Sequence, residues 1–177
     1  DLDLFWHGHG ALADLVASVT GTLSSAGFTV RGLRRTPTFA QLQVESVDGV
    51  VEVDLVAEPV ARIEAPERVL VDGAEIEIDC MGEIFSNKLN ALLSRSELRD
   101  LVDVEALMAA GLDLRVGLEA AACKDGAMSA ATLAWVLSSL PVVALAQRER
   151  MPEESSSRLV GFRDALCAEL VRLSTPG

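Results

Sequence analysis

From Thr38 to Val56 apolar and polar residues alternate. Ala40, Leu42 and Val44 fall on one side and Gln41, Gln43 and Glu45 on the other, which is the period of a strand with one buried face. Asp48-Gly49 interrupts the alternation, and this dipeptide between two such runs predicts a hairpin returning through Val50 to Val56. The same logic predicts short strands at Arg68 to Val71 and Ala74 to Asp79 around Asp72-Gly73. Ahead of these, Asp1 to Phe5 reads as a strand. Leu12, Leu15, Val16, Val19 and Leu23 recur at helical spacing and predict a helix from about Ala11 to Ala26, stopped by Gly27.

After Met81 the period changes to that of helices alone, over Gly82 to Ser94, Glu97 to Ala110, Leu114 to Cys123, Ala130 to Leu140 and Ser157 to Leu173. Ser94 and Glu97 stand in a capping-box pattern at the first break, and Met151 to Ser157, with Pro152 and three serines, reads as a solvated loop. A sheet half followed by a helical half is an α+β layout, divided into a mixed-sheet lobe at 1–80 and a helical lobe at 81–177.

Half of the 177 residues are hydrophobic, enough for one full core or two small ones. The stretch from Ala127 to Gln147 lacks charge, but its serines, Thr132 and Pro141 predict a buried helix and a second short segment rather than a membrane span. Net charge is −12, so a nucleic-acid partner must meet a local positive patch. Arg31, Arg34 and Arg35 form the dense basic cluster, able to contact an RNA backbone or simply to solvate a strand end. Cys80, Cys123 and Cys167 are far apart, without a CxxC pair or a leader, and read as reduced thiols of a cytoplasmic protein.

Alternation along the first strand puts Asp1 and Asp3 on one side. Two adjacent carboxylates repel unless a cation lies between them, and hard oxygen ligands suit Mg²⁺, although a solvated strand face shows the same spelling. In Val51 to Val56 the apolar face is Val51, Val53 and Leu55, leaving Asp54, or less readily Glu52, as a third carboxylate. Lys88 and Arg95 share a helical stripe and could reach one anion, or could be exposed cations near a helix C-terminus. Asp100 and Asp103, three apart, read either as a metal or base site or as ion-pair partners that orient Lys88 and Arg95. His7 and His9 lack a third ligand at zinc-type spacing and read as loop residues, and Trp6 and Trp135 read as packing residues.

Three blocks in order, D-L-D-L-F at Asp1 to Phe5, V-E-V-D-L-V at Val51 to Val56 and E-I-F-S-N-K-L-N-A-L-L-S-R-S-E-L-R-D-L-V-D at Glu83 to Asp103, resemble the AbiEii/AbiGii toxin family. The third block, K-L-x-A-L-x-x-R followed by R-D-x-x-D, is the specific one; K-D-G at Lys124 and L-A-W-V-L-S-S-L-P at Leu133 are also similar. The resemblance implies a nucleotidyltransferase fold and an enzyme that uses an NTP with Mg²⁺ or Mn²⁺, often as the toxin restrained by an antitoxin in phage defence. Some relatives modify the acceptor end of tRNA. It further implies that Asp1 and Asp3, with Asp54 as a looser match, bind metal, that Lys88 meets the nucleotide, and that Asp100 and Asp103 are the acids of the R-D-x-x-D motif. The family places a phosphate-cradling Gly-Ser turn upstream of its D-x-D, so the expected reading is of an N-terminally truncated chain. The alternative is a catalytically impaired module that keeps the fold and binds an antitoxin or other partner.

Overall fold

The computed structural model describes residues 2–175. Contacts divide the chain into a first unit ending at Arg62 and a second beginning at Ile63. The first holds β1 (Leu2–His7), α1 (Leu15–Ser25), β2 (Thr29–Arg35), β3 (Phe39–Ser46) and β4 (Gly49–Glu58). Its sheet runs β1-β4-β3-β2, with β1 parallel to β4 and the other pairs antiparallel. Ala40, Leu42, Val44, Val53, Leu55 and Ala57 bury one face against Leu12 and Val16, with Leu4 and Trp6 packed at the margin. The period-two reading of β3 and β4 therefore holds. The turn centres one residue earlier than the Asp48-Gly49 spelling suggests: Val47 and Asp48 form it, and Gly49 pairs with Ser46. The helix also starts later than expected, because Ala13 adopts a φ of 42°, which a continuing helix does not allow.

The second unit opens with the hairpin β5 (Glu67–Val71) and β6 (Ala74–Ile78). Asp72 and Gly73, with φ of 50° and 83°, make the tight turn their identities predict. The contact boundary thus groups this hairpin with the helices, whereas the change of period falls at residue 80. Among the described residues six helices follow: α2 (Met81–Ser94), α3 (Leu98–Ala109), α4 (Leu114–Lys124), α5 (Ala130–Ser138), α6 (Val142–Arg148) and α7 (Glu153–Ser174). Phe85, Leu89 and Leu92 form the buried stripe of α2, which packs on α3, α4 and α5. A Cβ added to Gly117 would lie 2.5 Å from Phe85 Cε1, so α4 approaches α2 as closely as it does because that residue has no side chain.

Several local expectations are corrected. The break between α2 and α3 exists, but no capping box closes it. Ser94 Oγ donates to Ala91 O, Glu97 makes no cap bond, and Ser96 turns the chain at a φ of 52°. Residues 151–157 are not a loop throughout: α7 begins at Glu153, since Pro152 suits a helix start and Glu153 and Glu154 favour the positive end of its dipole. Pro141 does separate α5 from α6, which are bent by 60°, and their buried Leu133, Leu137, Val142 and Ala146 belong to the core. Among the described residues no single helix is long and apolar enough to cross a membrane. Trp6 packs as expected, whereas Trp135 is 71% exposed, on the side of α5 away from Leu133 and Leu137.

Candidate functional site

The sheet of the first unit has one face filled by the core, and the polar residues of β3 and β4 line the other. Asp3 on β1 is in register with Asp54 on β4, so their Cα atoms are about 5 Å apart, the spacing of neighbouring strands, and both side chains stand on the polar face. Asp1, expected to complete this group, lies outside the described residues. Asp3 is exposed. Asp54 Oδ1 is buried and accepts no hydrogen bond from any described residue. Glu52, the weaker candidate, is engaged differently: its Oε2 accepts from Gln41 Nε2 at 3.3 Å. His9 Nδ1 lies 3.0 Å from His7 O just beyond the strand end. Among the described residues no three His, Cys, Asp or Glu side chains are grouped as a metal site would require.

The remaining candidates meet in the second unit. Arg95, just past α2, donates from Nε and Nη2 to the two oxygens of Asp100, each at 2.8 Å. Lys88 Nζ reaches Asp100 Oδ1 at 3.3 Å and Asp103 Oδ2 at 2.6 Å. The structure therefore places Asp100 as a partner of both cations and Asp103 as a partner of Lys88. Asp100 is fully buried, while the Lys88 and Arg95 side chains keep 27% and 44% of their exposure. Burial alone would raise the Asp100 pKa; the Arg95 hydrogen bonds and charge, and then Lys88, outweigh it and hold the carboxyl below the usual aspartate range.

A depressed folded-state pKa contributes stability that is present above the unfolded value of about 3.9 and lost as pH falls through the folded one. Asp100→Asn is accordingly expected to be less stable than the wild type at neutral pH, with the gap closing below about pH 4, as followed by urea unfolding at stepped pH.

A second buried network escaped the sequence reading. Glu83 and Asn87, one turn apart on α2, both accept hydrogen bonds from Lys124 Nζ at the end of α4. Glu83 is 1% exposed, and its other oxygen accepts from Ile63 N at 3.1 Å. The available signal was the spacing of Glu83 and Asn87 together with the K-D-G motif, but nothing local says that Lys124 is their partner. Asn90, a further turn along, donates to Ala121 O at 3.2 Å. Cys80 caps α2 by accepting from Glu83 N; burial, then the bond to Glu64 Oε2, pushes its thiol pKa up.

Comparison with known proteins places the chain in a family. No curated protein sequence matches the chain. Among solved structures, a putative nucleotidyltransferase from H. pylori shares 17% identity with a TM-score of 0.48, over 99% of this chain and 82% of that one. JHP933 from Helicobacter pylori shares 18% with a TM-score of 0.48, over 98% and 78%. An antigenic nucleotidyltransferase-like protein from Paracoccidioides brasiliensis shares 15% with a TM-score of 0.41, over 84% and 67%. The family model described as nucleotidyl transferase AbiEii toxin, type IV TA system, matches residues 1–166, which takes in β1, β4 and the whole of α2 through α6. The chain belongs to the AbiEii nucleotidyl transferase toxin family.

Proposed function

We propose that the protein transfers a nucleoside monophosphate from an NTP to an RNA acceptor such as tRNA, using Mg²⁺ or Mn²⁺, and that a cognate antitoxin restrains it. Family membership supports the transferase class and the toxin role. The observation that carries the chemistry is the Asp3 and Asp54 pair on adjacent strands, with one Asp54 oxygen buried and not hydrogen-bonded by any described residue. An ionised oxygen in that condition is costly, and so is a second carboxylate beside it; a hard divalent cation between them removes both costs, so these residues fit one. Asp3 and Asp54 would hold the cation, with Asp1 as the third ligand on the sequence pattern. Bound there, it would neutralise the triphosphate and favour ionisation of the attacking hydroxyl.

The chain's own part is positioning. The β1–β4 ladder fixes the separation of the two carboxylates, which side chains on loops would not hold as well. In the second unit Lys88 and Arg95 supply cationic donors for the nucleotide, Asp100 pairing with both and Asp103 with Lys88.

The test is incubation of the full-length protein with each NTP, radiolabelled at the α-phosphate, and with tRNA or other RNA. Label is expected in RNA with Mg²⁺ and absent with EDTA, and product mass separates nucleotide from phosphate addition. A stable antitoxin complex with no incorporation from any NTP into any RNA would replace this reading with that of a binding module.

A further inference from the structure

We infer that Arg31 and Arg34 on β2 form a strip that binds the phosphodiester backbone of the acceptor RNA where it crosses the open face of the sheet. The inference rests on the transferase reading for the name of its ligand. Its geometry is independent of that reading.

In a regular strand, residues three apart point to opposite faces, so Arg31 and Arg34 should diverge. They do not, because the register shifts between Gly32 and Arg34: Arg31 opposes Gln43 and Arg34 opposes Gln41, two residues apart on β3. The extra residue, Leu33, is taken up in the bulge, and both arginines stand on the polar face. Arg34 lies over the ring of Phe39 at 5.6 Å from its centre, which independently fixes its side. Arg35 opposes Ala40 on the core face and donates instead to Ala13 O. A bulge that re-aims a side chain beside a candidate site is a recognised use of this irregularity.

Both arginines are exposed, and neither forms an ion pair with an acid among the described residues. This contrasts with Lys88, Arg95 and Lys124, each held by acids, in a chain with 27 acidic and 15 basic residues. Register continues the row from Arg34 through Gln41 and Asp54 to Asp3, so the Arg34 Cα lies about 10 Å from that of Asp54 across two strand spacings, with Arg31 in the adjoining row of Gln43 and Glu52. Opposing residues two apart on β3, they are separated along the strand by about 7 Å. That matches neighbouring phosphates along a nucleic-acid strand and exceeds the spacing within a triphosphate. Phe5, on the same face and 39% exposed, offers a ring for an unstacked base. Positive charge meeting the backbone, with an aromatic beside it, suits single-stranded RNA.

The test titrates a fluorescein-labelled, mixed-sequence single-stranded RNA into the full-length protein at several salt concentrations, and ATP with Mg²⁺ in a separate calorimetric titration. In Arg31→Gln/Arg34→Gln, RNA affinity is expected to fall roughly twentyfold near 0.1 M salt, and the slope of log K against log salt to lessen by about 1.4, the value for two phosphate contacts on a single strand. Arg31→Lys/Arg34→Lys should retain most of that slope. A control of equal charge change elsewhere, Arg115→Gln/Arg148→Gln, should leave RNA binding in place.

Unchanged RNA affinity in the first variant, an equal loss in the control, or a loss confined to ATP would each overturn the inference. So would a wild-type protein that binds no RNA. RNA binding that follows this pattern without any nucleotidyl transfer would instead sink the transferase reading and leave the strip standing.

Discussion

Asp54→Asn is expected to slow nucleotidyl transfer roughly a thousandfold, about 4 kcal/mol of transition-state stabilisation, while leaving the protein at least as stable as before. The two effects have one origin. Asp54 Oδ1 is buried and accepts no hydrogen bond from any described residue, and it sits in register beside a second carboxylate, Asp3. Replacing the carboxylate with a neutral amide of the same shape removes an unfavourable charge from the fold and a hard anionic ligand from the site. The midpoint of thermal unfolding should therefore hold or rise by a few degrees, since about 1 kcal/mol is worth 2–4 °C in a chain of this length. Asp3→Asn should lose activity comparably without the gain in stability, because Asp3 is already exposed to water. Label-transfer rates and melting curves on the two variants decide the matter. An Asp54→Asn protein that melts well below the wild type would show that the carboxylate is structurally satisfied.

Lys124→Met should destabilise the protein by about 3–5 kcal/mol, the usual cost of leaving one partner of a buried ion pair alone. Glu83 and the Lys124 side chain are 1% and 9% exposed, so neither charge has water to fall back on. Without Lys124, Glu83 keeps the backbone N–H of Ile63 as a donor, and Asn87 loses its cationic partner. Against a total of about 5–15 kcal/mol this is a large fraction of the whole. Adding Glu83→Gln to Lys124→Met should recover much of the loss, because the stranded charge is then gone. Urea unfolding of the two single variants and the double completes the cycle, and independent, additive losses would show that the two residues are not coupled.

What was legible in the chain was what local physics dictates. Ala40, Leu42 and Val44 reveal their face by period alone, and Asp72-Gly73 reveals its turn because few residues adopt the required φ. The α2 stripe of Phe85, Leu89 and Leu92 was readable for the same reason. The start of α7 was not, since serines and a proline spell a loop as well as a helix entry and only packing separates them. Asp54 could be placed on the polar face from sequence, but the condition of its buried oxygen could not. Nor could Lys124 be assigned to Glu83, or the arginines to a common face: the first contact joins distant segments and the second depends on one extra residue in one strand.

The sheet order has a consequence for the history of each molecule. Among the described residues β1 is an edge strand that pairs with β4 alone, Leu2 in register with Val53. β1 must therefore wait for β4, made after α1, β2 and β3, before it can take its place in the sheet, whereas β2, β3 and β4 can zip together as successive hairpins. Joining Asp3 to Asp54 is thus a long-range event late in the assembly of this unit, and a nascent or partly unravelled chain lacks the paired carboxylates even when most of its sheet is in place.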